Sequence, residues 1–253
     1  MIHDNSKVDF MMMKMNASFL WMMLMIVSLG IGGLNAQEVS RTFEVSSFNM
    51  VDSDIVGNVI YTQSEEGFSV EAEGDEELVE NLRVEVNDKR LILRDEKKTG
   101  RKLIGRFRAK KLTVRISSPE LVRIQSDGAG GITLEGQVIT DRLEIESDGV
   151  GNIEADDLHA TQLRVDSDGV GHVRLRGTGK KAILSSSGVG GIDAQHYRAE
   201  DVIVELLGMG GIKCYASHEI ELYGKGVGGI TYYGDPDIKA LDKSGVGKIV
   251  AGK

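Results

Sequence analysis

Asp127, Asp148 and Asp168 recur at spacings of 21 and 20 residues, each after a serine and before a glycine. Carboxylates presented at such a fixed interval could share a hard cation such as Ca²⁺. Calcium-binding nonapeptide repeats, however, carry their aspartate after the second glycine pair, and that place here holds Thr133, Glu154, Arg174 and Asp193 in turn. The serines and aspartates are therefore expected to bond backbone N–H groups at a turn. His159, His172, His196 and His218 could act as ligands or bases, but they share no common repeat position and show no metal spacing. Ser185 to Ser187 lack an identifiable base and orienting acid. A polysaccharide lyase or hydrolase would need paired carboxylates, or a cation with a strong base, and the many acids of this chain are unfocused. No catalytic, cofactor-binding or metal residue is assigned.

One charge cluster does suggest binding. Lys97, Lys98, Arg101, Lys102, Arg106 and Arg108 crowd a segment that continues to Lys110 and Lys111, behind an acidic stretch from Glu65 to Glu80. They could hold an anionic glycan, lipid head groups or an acidic protein surface. The alternative is a solvated hairpin or loop that balances the acidic stretch and keeps an edge soluble. Nucleic acid is an unsuitable partner, because the net charge is −9 and stays there when residues 1–36, with two acids and two bases, are removed.

The elements behind these residues repeat. SDGAGGI from Ser126, SDGVGNI from Ser147, SDGVGHV from Ser167 and SSGVGGI from Ser186 are followed by LGMGGI from Leu207, KGVGGI from Lys225 and SGVGKI from Ser244. The first glycines, 128, 149, 169, 188, 208, 226 and 245, lie 18 to 21 residues apart. On both sides of each G-x-G turn the residues alternate with the period of a strand. Before it, the expected inward pairs run from Val122 and Ile124 through Leu143 and Ile145, Leu163 and Val165, Ala182 and Leu184, and Val202 and Val204 to Ile220 and Leu222. After it they run from Ile132 and Leu134 to Ile212 and Cys214, and then Ile230 and Tyr232. Strands this short hide an apolar face only by stacking, so the coils should pair in parallel about 4.8 Å apart. Outward residues alternate in sign from coil to coil, as Arg123, Glu144, Arg164 and as Glu154, Arg174, Asp193, Lys213. The expectation is an all-β parallel solenoid of about seven glycine-punctuated coils over residues 121–253. The 32 glycines against 2 prolines, and the scarcity of aromatic residues, agree with a thin aliphatic core.

Residues 37–120 form a less regular, β-rich part of the same solenoid. SDIVGNV from Ser53 reads as a degenerate first coil, and Asp75 to Glu80 as a short helix. Residues 1–36 have the pattern of a secretory signal peptide, with Lys14 ahead of an apolar run from Phe19 to Leu29 and the small Ala36 before Gln37. The glycines and Asn35 that follow weaken a membrane-anchor reading, and translation could start within Met11 to Met15. No cysteine lies near the cleavage site to accept a lipid, so a lipoprotein is excluded, and the lone Cys214 allows no intrachain disulfide.

SPEL at Ser118 to Leu121, entering the SDGxG repeats after a strand around Phe43 and a short acidic helix, resembles the head GIN domain family of “putative auto-transporter adhesins” over about residues 41–250. The resemblance implies a bacterial, exported parallel β-helix with no catalytic residues to carry over. The copies at Leu207 and Lys225 depart from its serine pattern. The function this leaves is binding or surface structure, in the periplasm, on the cell surface or outside the cell. The partner is undetermined, with a glycan or cell-envelope surface as the candidate and a β-helix enzyme as the alternative.

Overall fold

The computed structural model describes residues 38–96 and 111–253. The strands are β1 (Glu38–Phe43), β2 (Met50–Asp54), β3 (Asn58–Gln63), β4 (Ser69–Asp75), then, after helix α1 (Glu76–Asn81), β5 (Leu82–Asn87), β6 (Arg90–Asp95), β7 (Leu112–Ser118) and β8 (Arg123–Ser126). Long strands follow, β9 (Ile132–Ser147), β10 (Ile153–Ser167), β11 (Val170–Ser186), β12 (Val189–Leu206) and β13 (Met209–Gly224). Shorter ones end the chain, β14 (Val227–Tyr233), β15 (Asp237–Asp242) and β16 (Val246–Ala251). From β9 to β14 each strand pairs in parallel with the next, making a β-solenoid of about 6 turns. The corner itself has eight levels, because the degenerate copy at Ser53 stacks directly beneath Ser126. The difference from seven coils arises at the ends, where the first level is completed by distant chain and the last is partial.

The inward residues form columns, since equal spacing puts like beside like. Leu143 pairs with Leu163, Leu163 with Ala182, Ala182 with Val202 and Val202 with Ile220. All are buried, and each full-sized aliphatic side chain so buried contributes about 1.5–3 kcal/mol. The column entering the first regular coil departs from expectation. Leu121 is buried and Val122 only half-buried, because the turn at Pro119 shifts the alternation by one before β8 begins. A further face escapes the two-strand pattern. After a bulge in each coil, Leu158 and Ala160, Tyr197 and Ala199, and Ala216 also point inward, so one strand runs continuously from corner to corner.

The aspartates are not the corner's hydrogen-bonding groups. The N–H groups of Asp148 and Gly149 both donate to the Ser126 carbonyl, at 2.9 and 2.8 Å, and those of Asp168 and Gly169 to the Ser147 carbonyl at the same distances. Stacked parallel corners give these N–H groups a carbonyl one level below, so no aspartate is needed. The serine side chains instead continue the inward alternation, with Ser53, Ser126, Ser147, Ser167 and Ser186 all buried.

The other end is closed by antiparallel pairing. β6 and β7 stack in parallel on β2 and β3, forming a level built from later sequence. β5 pairs antiparallel with β6, β4 with β7 and β1 with β4, and the expected helix is α1. β1, β4, α1 and β5 therefore cap the stack, over the level that β6 and β7 form.

Candidate binding surface

Outward positions held in register build an open groove along the solenoid. One column runs Ile139, His159, Thr178, Arg198, Tyr215. The other wall includes Asp141, Thr161, Lys180, Glu200 and Ser217. Between the walls lie the small residues Ala160, Gly179 and Ala199, and the open trough has a volume of about 850 Å³. Five levels at about 4.8 Å give it a length of roughly 19 Å.

Hydrogen bonds hold the walls. Gln63 closes one end, accepting from the Ile139 N–H at 2.7 Å and donating to the Ile139 and Pro119 carbonyls at 3.0 and 2.7 Å. The His159 ring lies between Thr178 Oγ1 and Asp157, at 2.8 Å from each. The Arg198 guanidinium stacks 4.9 Å over the Tyr215 ring. With Glu120, Asp141 and Glu200 against Lys180 and Arg198, the lining carries charges of both signs and several hydroxyl partners. Such a surface suits a neutral, hydroxyl-rich, extended ligand better than a polyanion.

The residues singled out in the sequence are scattered. Lys97, Lys98, Arg101, Lys102, Arg106, Arg108 and Lys110 lie outside the described residues. Their neighbours Glu96 and Lys111 follow β6 and precede β7, so the basic segment lies between those two strands in the chain. Asp127, Asp148 and Asp168 are exposed in one column beside the corner, and Ser187 Oγ donates to Asp168. The Asp148 carboxyl is held above the usual range by partial desolvation and by Asp127 and Asp168. Cys214 is buried, as the alternation requires, and burial pushes its thiol up to about 12, where it is no nucleophile. The alternating charges do meet. Arg174 lies 3.5 Å from Glu154 and Arg164 3.9 Å from Glu144, whereas Arg123 reaches diagonally to Glu146 at 2.6 Å.

His159, His172, His196 and His218 all face outward. Asp201 and Glu219 are register partners, and with His218 they bring three donor atoms within 4.8 Å of one another. Spacing alone missed this group because its members come from different coils. His218 Nδ1 lies 2.8 Å from Asp201, while Lys239 contacts Glu219 at 3.3 Å. Sequence reasoning also missed the groove, whose only signal was a set of small residues at Ala160, Gly179 and Ala199. Among the described residues, no helix is long and apolar enough to cross a membrane.

The family model described as “Putative auto-transporter adhesin, head GIN domain” matches residues 47–236. No curated protein matches the chain. A crystal structure of a “putative adhesin” from Bacteroides fragilis is 38% identical, covers 86% of this chain and 98% of its own, and superposes with a TM-score of 0.79. A “putative lipid binding protein” from Parabacteroides distasonis, 23% identical over 87% of this chain and 98% of its own, has a TM-score of 0.68. A “putative adhesin” from Parabacteroides merdae, 19% identical over the same shares, has one of 0.62. These last two share the fold.

Proposed function

The chain belongs to the family “Putative auto-transporter adhesin, head GIN domain”, and from that membership we propose that it is an exported binding protein that takes an extended, hydroxyl-rich polymer, such as a cell-envelope glycan, into its long groove. The observation that carries this reading is the trough over Ala160, Gly179 and Ala199, walled by hydroxyls and by charges of both signs. Export is supported by the leader pattern of residues 1–36 and by the family's description. The missing lipid-accepting cysteine argues against a lipoprotein. The enzyme alternative is not favoured, since the family and the 38% identical Bacteroides fragilis structure carry adhesin names.

The test is retention of the protein on cell-envelope glycan. Joint Arg198→Ala and Glu200→Ala changes should weaken retention without moving the melting temperature, and raised salt should alter it little. Unchanged retention by that variant would remove the groove from the function. Turnover of the glycan would instead bring back the enzyme reading.

The basic segment supports a second reading, as an anion-binding surface. Its charges would then act together, and changing Lys97, Lys98, Arg101 and Lys102 to Ser should abolish a salt-sensitive retention while leaving stability alone. The two readings are separated by salt, because screening weakens only the second.

A further inference from the structure

The residue between the two corner glycines of each repeat is apolar and exposed at nearly every level. Val56, Val150, Val170, Val189, Met209 and Val246 belong to one column, continuous through parallel pairing. Their exposure runs from 46% at Val189 to 73% at Val246. Eight levels spaced by about 4.8 Å make a ridge roughly 34 Å long, one wall of a shallow open trough that the flanking column completes. Contiguous apolar surface of a few hundred Å² is about the most that a soluble monomer leaves open.

The flank of this ridge changes charge along its length. Asp54, Asp127, Asp148 and Asp168 occupy the first four levels. Ser187, Leu207, Lys225 and Ser244 occupy the last four. An acidic flank disfavours an anionic lipid surface. An antiparallel copy of the same ridge has the opposite order of charge, so turning one copy end for end sets every aspartate opposite an uncharged residue or a lysine.

We propose that the ridge is where a second copy of this chain docks, antiparallel and ridge on ridge, with Asp127 of each copy facing Lys225 of the other. Full overlap then puts Val170 against Val189, Val150 against Met209 and Val56 against Val246. The apolar column supplies the buried centre and the flank supplies direction, the usual division between hydrophobic association and charge-set orientation. Lys225 already contacts Glu205 at 3.3 Å, but an ammonium has further donors to offer. Asp148, whose carboxylate is disfavoured by desolvation and by its acidic neighbours, would lose part of its exposure to an apolar Leu207.

The test is sedimentation equilibrium of the natural chain, as recovered from expressing cells, from about 1 to 100 μM. A dimer is expected. Joint Val170→Lys and Val189→Lys changes should raise its Kd at least about tenfold with no change in circular dichroism. Asp127→Lys should weaken it similarly, and Asp127→Lys with Lys225→Asp should restore it, because both contacts are rebuilt in reverse. Orientation is read by mixing a Val56→Cys chain with a Val246→Cys chain, where antiparallel docking gives the mixed disulfide. Buried Cys214 stays out of that reaction. A monomer throughout the range, a dimer indifferent to the two lysines, failure of the double reversal to restore it, or Val56→Cys linking to itself would each overturn the proposal.

Discussion

Tyr197 donates its hydroxyl to the Ala160 carbonyl at 2.8 Å, although two coil levels separate them. The reach is possible because the level between supplies Gly177 and Gly179, which register with Leu158 and Ala160 below and with Tyr197 and Ala199 above. An added Cβ at Gly179 would strike both the tyrosine hydroxyl and the Ala160 carbonyl. The same two glycines thus admit the largest side chain in this part of the core.

Tyr197→Phe should cost about 1 kcal/mol, the worth of one buried hydrogen bond. Tyr197→Ala should cost about 3–5 kcal/mol, because the ring fills the space that two glycines leave. Urea unfolding of both variants measures the difference. Equal losses would mean that the ring's packing contributes nothing.

The three glycines of a repeat should differ. A Cβ at Gly169 would run into the Gly149 carbonyl, and one at Gly171, where φ is +154°, into the Gly151 carbonyl. Alanine at either should cost about 1–3 kcal/mol or more, since backbone has to move. At Gly131 the nearest atom would be 3.5 Å away, and the equivalent place is Asn152, His172 or Lys248 in other coils. Gly131→Ala should stay within about 0.5 kcal/mol of the natural protein by thermal melting.

Asp148→Asn should raise the melting temperature at pH 7. The folded carboxyl holds its proton more tightly than the unfolded one, chiefly through desolvation and then through Asp127 and Asp168. Stability therefore falls as pH rises through the window between the unfolded and the folded pKa, and the full penalty persists above it. The gain from asparagine should be below about 1 kcal/mol, as for other exposed like-charge neighbours, and should vanish on acidification to below the ordinary aspartate range. A gain that survives at acid pH would point to something other than charge.

His218 should titrate above the ordinary histidine range, because its hydrogen bond to Asp201 favours the protonated ring. Any stabilisation from this pair is fully present below the unfolded pKa and is lost as pH rises through the folded one. Proton NMR of the ring should show Asp201→Asn bringing the titration back toward the ordinary value, and no movement would break the link between the two side chains.

The repeated coils were legible because an alternating strand, a glycine corner and a twenty-residue spacing all demand one architecture. Columns such as Leu143, Leu163 and Ala182 need nothing else to be placed. The role of Asp148 was not legible. A serine-aspartate-glycine turn ordinarily closes through its own side chains, and only the presence of a coil beneath supplies the Ser126 carbonyl in their place. The groove was hidden for a related reason. Ala160, Gly179 and Ala199 are ordinary singly, and they form a floor only after the bulge near Asp157 fixes which residues share a face. His218 meets Asp201 and Glu219 across coils, where linear spacing says little.

The level formed by β2 and β3 sits between β6 and β7 on one side and β8 and β9 on the other. Val59 thereby pairs with Ile132, 73 positions later, whereas neighbouring regular coils pair at about twenty. Closing the larger loop costs more chain entropy, so the regular coils should form first and the amino-terminal level last. In a chain that leaves a membrane pore from its amino terminus, residues 50–63 would emerge early and still find neither neighbour present. The interleaved order would keep the leading segment extended during passage and delay its closure until Ile132 has arrived. Pulse-labelled hydrogen exchange during refolding should then protect Ile203 before Val59.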